Sequence, residues 1–339
     1  INLTIIAAIL LFGVIVFIHE LGHFLFAKKA GVRIHEFAIG MGPKLFSTTK
    51  GETKYSIRLL PLGGYISMEG EDGESKDPNS FGQKSILQRA SILFAGPFFN
   101  IVFAAILLIP VFMYIGSPTN SNVLGAVIEN TPAQIAGLQA NDKIIEVNKI
   151  KTNTWEDVVE KLHSSGGKEV NIKVERNSKI KEFNLTPQKN EQGNYVIGIA
   201  PSYERNVFTS IAKAFTVTIE MIKQMFIFLG QLITGTVPGG AANSVAGPVG
   251  VIGIVSDAAK TGIPNLMYIA SMLSLNLGIL NLLPIPALDG GRLLMIGIEG
   301  IRGGKKLDPS KEAAIHMVGF ALLMGFMVFI TYKDIIKLF

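Results

Sequence analysis

The densest chemistry in the chain is His19-Glu20-Leu21-Gly22-His23. On a helix, residues four apart share a face, so both imidazoles can meet one metal ion with Glu20 beside them. Neutral imidazole nitrogens at about 2.0–2.1 Å suit zinc, and a catalytic zinc keeps a position open for water. The 339 residues include five histidines and no cysteine. Thiolate zinc sites, disulfides and cysteine nucleophiles are therefore excluded, and any metal falls to His, Asp or Glu. A lone histidine is more often a satisfied core residue. Three ionisable groups within one apolar helix are costly, however, and mark a functional site.

A third ligand must reach the same depth. Asp289 is the candidate, in the run Asn281-Leu282-Leu283-Pro284-Ile285-Pro286-Ala287-Leu288-Asp289-Gly290-Gly291-Arg292. Pro284 and Pro286 cannot continue a regular helix, so the chain there becomes extended and can aim a carboxylate sideways. An interfacial aspartate can also serve only as a helix cap. His35 and His316 are the competing ligands.

The elements that must position these groups are apolar. The composition is 48% hydrophobic and 17% charged, with a mean hydropathy of +0.40. Soluble domains carry about 25% charged residues, so this balance points to lipid. A net charge of +5 over this length does not suggest a nucleic-acid partner. Residues 1–27 read as a first spanning helix. They are followed by positive charge and lack the basic leader of a signal peptide. Further spans read at 92–115, at 266–291 and at 313–332.

Residues 28–91 hold ten Lys/Arg and 292–312 hold five more. Both stretches belong inside, which requires an even number of crossings between them and leaves 116–264 outside. His19 then lies about 24 Å from the outer end of the first span, near the cytoplasmic side, and Asp289 closes the third span on that same side. Within 205–264, Val207–Ile233 carries Lys213, Glu220 and Lys223. It reads as an amphipathic helix on the outer membrane surface, with a crossing as the alternative. A Gly/Pro-rich linker at 235–253 follows, with Gly247-Pro248-Val249-Gly250 either re-entrant or lipid-facing.

Residues 120–201 are polar, with short strands at Val123–Ile128, Lys143–Val147, Glu169–Glu175 and Glu182–Thr186. Thr154 and Asp157 form a capping box ahead of a helix over Trp155–Leu162. Residues 40–68 alternate like the strands of a hairpin turning at Lys50-Gly51.

The HExxH of the first span, the NxxPxPxLDG run and the outer domain together resemble the site-2 protease family of bacterial intramembrane zinc metalloproteases. The nearest branch is that of the regulators that cleave anti-sigma factors. The resemblance covers nearly the whole chain and matches His19, Glu20, His23, Asp289, Gly96, Pro97, Asn100, Asn281, Pro284 and Pro286. It implies a mainly α-helical membrane protein with four transmembrane helices, an inserted extracytoplasmic PDZ domain (α+β, β-sandwich-like) and a membrane-associated β-hairpin at 40–68. It implies one Zn2+ per chain on His19, His23 and Asp289, with Glu20 as general base. Asn276, Asn281, Pro284, Gly63, Gly64 and Tyr65 are the implied substrate-binding residues.

The PDZ pattern rests on Thr131-Pro132-Ala133-Gln134-Ile135-Ala136-Gly137-Leu138 and Asp142 to Asn148, and implies a peptide groove at Leu124, Gly125, Ala126 and Val127. A domain that only gates access by size is the other reading. Some members carry two tandem PDZ domains, and this chain has room for one. The implied location is the bacterial cytoplasmic or inner membrane, with the active site towards the cytoplasm. The implied substrate is a single-span membrane protein: an anti-sigma factor or a signal-peptide remnant. The rivals are a non-catalytic membrane PDZ adaptor and an outward-facing zincin.

Overall fold

The computed structural model describes residues 3–71, 75–190, 193–238, 240 and 244–336. It divides into two compact units, residues 1–111 with 214–339, and residues 112–213.

In the first unit, an apolar sequence interrupted by His19, Glu20 and His23 winds into helix α1 (Leu3–Lys29), which ends on Lys28 and Lys29, two cations at the negative pole of the helix dipole. Strands β1 (Ile34–Lys50) and β2 (Thr53–Met68) follow. They form more than a simple hairpin. Residues 36–39 of β1 pair with 64–67 of β2 on one side and with 54–57 on the other, while 44–50 pair with 53–58. The bends that allow this double use fall at Gly40, Gly42 and Gly63, all with positive φ. The expected two-stranded hairpin is thus a doubled sheet. Exposed apolar side chains (Leu45, Phe46, Leu59, Leu60) sit towards its tip. Its other end joins the cluster of Phe24, Ala27, Val32, Phe37, Met68 and Ile92.

Helix α2 (Ile86–Ile115) carries Pro97 and Pro110 within it. Four further helices belong mainly to this unit: α5 (Val207–Thr234), α6 (Pro248–Thr261), α7 (Ile263–Asn281) and α8 (Asp289–Ile301). The last helix is α9 (Pro309–Ile336). Among the described residues, five helices are long and apolar enough to cross a membrane: Ile6–Lys29, Ile86–Ile115, Val207–Thr234, Ile263–Asn281 and Ser310–Ile336. The fifth relative to the sequence reading is Val207–Thr234. Its Met221, Ile222, Met225 and Leu229 pack against Ala104 of α2 and against Leu275 and Ile279 of α7. An amphipathic stripe fits a protein groove as readily as a lipid surface, so the periodicity alone did not distinguish them.

The third span also differs from its expected bounds. The helix stops at Asn281, before Pro284 and Pro286, and Asp289 opens a separate helix. Of the Gly/Pro-rich linker, residues 239 and 241–243 lie outside the described residues, and 248–261 are helical, with Pro248 at the first helical turn where its missing N–H costs nothing.

The second unit is built around strands β3 (Ser117–Pro118), β4 (Leu124–Val127), β5 (Lys143–Val147), β6 (Ile150–Lys151), β7 (Val170–Arg176) and β8 (Lys179–Leu185). It continues with β9 (Gln188–Lys189), β10 (Tyr195–Val196), β11 (Ile199–Pro201) and β12 (Tyr203–Glu204), and includes helices α3 (Pro132–Ala136) and α4 (Trp155–Ser164). A four-stranded sheet runs β6-β5-β7-β8, and β4 pairs with β11. The expected capping box is formed. Thr154 accepts from the Asp157 N–H at 3.1 Å, and Asp157 accepts from the Thr154 N–H at 3.0 Å. The core comprises Leu124, Ile144, Val147, Val158, Val170, Ile172, Val174 and Ile197. Asp142, fully buried, is matched by Arg176 through bonds of 2.6 and 2.7 Å, so the carboxylate is not left uncompensated.

The groove expected at Leu124–Val127 meets an obstacle there. β11 runs along β4 on one edge, and on the other the Leu124 N–H donates to Asp142 while its carbonyl accepts from Asn141. Gly125 is covered as well: a Cβ on it would lie 2.1 Å from the Pro201 carbonyl oxygen. The strand is where the pattern put it, and the chain itself already pairs with it.

Candidate metal centre

Helices α1 and α2 cross where neither has a side chain. A Cβ on Gly22 would lie 2.4 Å from the Ala95 carbonyl oxygen, and one on Gly96 would lie 2.3 Å from His23 Nε2. The His23 ring therefore lies flat over Gly96. Pro97 has no N–H to give and loosens the helix ladder in the preceding turn. There the Ile92 carbonyl accepts from His23 Nδ1–H at 2.8 Å. With its proton on Nδ1, a neutral His23 presents a bare lone pair at Nε2.

One turn of α2 further on, Asn100 is fully buried, with its amide 3.4 Å from His19 Nδ1 and its Oδ1 without a partner. The two ends of an amide are alike in size. With Oδ1 turned to accept from His19 Nδ1–H, that oxygen is satisfied and the second imidazole also points a bare Nε2 inward. Helix α7 holds this part of α2 from behind. Ser274 donates to the Asn100 carbonyl at 2.9 Å and Ser271 to that of Ala104 at 2.8 Å, and Gly278 packs on Pro97. Small and hydroxylated residues are what let membrane helices approach this closely.

Asp289 arrives from the loop between α7 and α8. Gly290 and Gly291 let that loop fold onto the start of its own helix. Cβ atoms there would lie 2.2 Å from the Leu283 carbonyl oxygen and 2.4 Å from that of Ile285. His19 Nε2 and His23 Nε2 are 3.2 Å apart, and Asp289 Oδ2 is 3.1 Å from the first and 3.4 Å from the second. Ligands at about 2.0–2.1 Å around a tetrahedral zinc are about 3.3–3.4 Å from one another, so the three atoms already stand at the edges such an ion requires. Asp289 Oδ2 is buried and accepts no hydrogen bond. Three electron-pair acceptors facing one another in a dry site repel unless a cation lies between them. The donor set fits a zinc ion. Among the described residues these three form the one such group of His, Asp or Glu.

Glu20 lies beside the centre, against the sheet. A Cβ on Gly64 would stand 3.6 Å from the Glu20 Cγ, and the Ile66 backbone N–H reaches the Glu20 carboxylate. The 64–68 stretch, the edge of the doubled sheet, thus passes the carboxylate, with Gly63 over Val16 one turn earlier on α1. Tyr65 turns away from the triad. Its hydroxyl accepts from Arg58, which also bonds Glu36 at 3.1 Å. Burial pushes the Glu36 carboxyl up, but hydrogen bonds from Ser56, Tyr65 and Arg58 outweigh it and pull it down to about 2.

Of the remaining residues singled out in the sequence, Asn276 and Asn281 are half-buried on α7, the latter as its last residue, and Pro284 is exposed. Neither competing histidine joins the triad: His35 bonds Glu69 at 2.8 Å, and His316 Nδ1 accepts from the Ala287 N–H at 3.0 Å. The contact of Asn100 with His19 was not readable from sequence beyond the grouping of Gly96, Pro97 and Asn100 on one helix.

The family model described as peptidase family M50 matches residues 7–326. A protein of Clostridium acetobutylicum named as a zinc metalloprotease is 40% identical, covering 98% of this chain and 97% of its own. The regulator of sigma-W protease of Bacillus subtilis is 34% identical, covering 99% of each. That alignment runs to 421 positions against 339 residues here, so the relative carries stretches this chain lacks. The solved PDZ domain of an SdrC-like protein from Listeria monocytogenes matches 24% of this chain and 88% of its own, at 21% identity and a TM-score of 0.22. The chain belongs to peptidase family M50, the site-2 protease family of metalloproteases.

Proposed function

We propose that this protein hydrolyses a peptide bond within the transmembrane segment of a single-span membrane protein, on the cytoplasmic side of a bacterial cell membrane. The observation that carries the reading is the triad: three lone-pair atoms at zinc-ligand separations, two of them on a helix long and apolar enough to cross a bilayer. One zinc ion held by His19, His23 and Asp289 would supply Lewis-acid chemistry at the scissile carbonyl and at the attacking water. Glu20 takes the water proton on its carboxylate and returns it to the leaving amine nitrogen. Ile92 and Asn100 keep the imidazoles aimed while this proton moves.

A helical substrate hides its carbonyls in i→i−4 hydrogen bonds, so it must unwind before attack. The 64–68 edge beside Glu20 offers backbone groups to such an unwound stretch, which supports strand addition as the mode of binding. Gly63 and Gly64 leave the start of that edge free of side chains; Asn276 and Asn281 precede the loop that leads to Asp289, and Pro284 lies within it.

The basic stretches 28–91 and 292–312 support a topology in which α1, α2, α7 and α9 cross and the 112–213 unit, read as a PDZ domain, is extracytoplasmic. That unit acts as a gate against substrates with large outer domains. The substrate is an anti-sigma factor or a signal-peptide remnant. With no native cysteine, single cysteines at positions 50 and 180 label cleanly from one side each; labelling of both from the same side contradicts the topology.

The activity is tested with purified protein in detergent and a labelled single-span peptide bearing a short outer end. Wild type is expected to cut inside the span, and Glu20→Gln and zinc-chelated protein not to cut. Cleavage by Glu20→Gln at the wild-type rate would remove Glu20 from the mechanism.

A further inference from the structure

Asp289 owes its aim to a loop whose own backbone bonds include Ile285 N–H to the Leu283 carbonyl at 2.7 Å and Leu288 N–H to the Ile285 carbonyl at 3.2 Å, but none from Ala287 among the described residues. Between Asn281 and Asp289, Pro284 and Pro286 provide no N–H, and Ala287 stands at φ 77°, a left-handed conformation that a side chain makes unfavourable. The last helix grips this loop at two points one turn apart. His316 Nδ1 accepts from the Ala287 N–H at 3.0 Å. Gly319 lies so close that a Cβ there would fall 2.5 Å from the Pro286 carbonyl oxygen. The His316 ring is mostly covered, with its side chain 19% exposed and Nε2 4.0 Å from Glu312 one turn back.

We infer that His316 is a positioning residue for the metal centre: by accepting from Ala287 it fixes the strained turn that aims the Asp289 carboxylate at His19 and His23. The inference rests on the metal-site reading above. An acceptor at Nδ1 is required, and the Asn side chain places its Oδ1 at about the same reach, whereas Leu fills the space with no acceptor. Without the bond the Ala287 N–H is left unpaired, the turn relaxes towards a less strained conformation, and Asp289, two residues on, loses its fixed direction. Groups hydrogen-bonded directly to metal ligands are worth about 10–100-fold in metal affinity, and His316 acts through the backbone two residues away, so the lower end of that range is expected. Gly319→Ala pushes on the same loop through Pro286 and is expected to act in the same direction.

The test uses full-length protein in detergent, with cobalt as probe. Zinc affinity is measured by competition against a chromophoric chelator, and the cobalt visible spectrum reports the geometry of the donor set. The expected result is a zinc affinity about tenfold or more lower in His316→Leu, with a weakened tetrahedral cobalt spectrum, and a return to within a few-fold of wild type in His316→Asn. If Leu matches wild type in both readouts, or if Leu and Asn fall equally, His316 does not act through this bond and the inference is overturned. A wild type that binds neither metal overturns the metal-site reading itself, and with it the inference.

Discussion

Gly96→Ala is the sharpest perturbation of the centre, because it adds one carbon at a computable place. The new Cβ would stand 2.3 Å from His23 Nε2, 2.6 Å from Cε1 and 2.9 Å from Cδ2. Unstrained contacts are about 3.5–4.0 Å, so the ring must move by about 1 Å or more. It has no easy way to move, since its Nδ1–H is bonded to the Ile92 carbonyl at 2.8 Å. A displacement of that size takes Nε2 out of bonding range of a metal about 2.0 Å away and costs a factor of about 100 in rate by misplacement alone.

The fold pays little for the same change. Alanine is favoured over glycine in a helix by about 1 kcal/mol, against roughly 1–3 kcal/mol for overpacking, so net destabilisation is about 2 kcal/mol at most. The variant should therefore fold, keep its helix content and bind zinc at least 100-fold more weakly. Zinc retained after dialysis against a graded chelator series is the assay. Gly297→Ala, whose Cβ meets nothing within 4 Å, is the control that should behave as wild type. Wild-type zinc affinity in Gly96→Ala would refute the placement of His23 over Gly96 as a ligand.

Three other outcomes follow from the same geometry. Asn100→Ala leaves His19 Nδ1–H unpaired in a dry site, and zinc affinity measured by competition should fall about 10–100-fold with helix content unchanged. In the 112–213 unit, Arg176→Leu strands the buried Asp142 carboxylate and should cost about 3–5 kcal/mol. The chain's single tryptophan, Trp155, lies in that unit, so its fluorescence on denaturant titration reports this unfolding separately. Glu36 is held below the ordinary glutamate value, at about 2, so its contribution to the doubled sheet is present above that ordinary value and is lost as pH falls through about 2. Hydrogen exchange over residues 34–68, corrected for intrinsic rates, should show protection falling between about pH 4.5 and about pH 2 in wild type and no such step in Glu36→Gln.

The parts of the site that follow local rules could be read from the sequence. His19 and His23 share a helix face because of the helical period, Thr154 and Asp157 cap α4, and two prolines force the turn before Asp289. What could not be read depends on contacts distant in sequence. The close approach that makes Gly96 obligatory is set by His23 on another helix, and the value of Asn100 is set by His19. Residues 36–39 alternate like any strand, and nothing local indicates that they pair on both sides. Likewise β4 has a strand's pattern, but whether its edge is free is decided by β11, some seventy residues later. Val207–Thr234 shows the opposite limit: one amphipathic stripe serves a lipid surface or a protein groove equally well, and only its packing on Ala104 and Leu275, distant in sequence, adds to what the stripe says.

In the proposed centre two imidazoles and one carboxylate hold the metal while Glu20 does not. X-ray absorption at the zinc edge, on wild type and Glu20→Gln loaded with one equivalent of zinc, distinguishes these ligand sets. Two imidazole scatterers with oxygen ligands at about 2.0–2.1 Å are predicted, in spectra that coincide for the two proteins, with only wild type cleaving a single-span peptide. Fewer than two imidazoles in wild type, or loss of zinc in Glu20→Gln, would contradict the account.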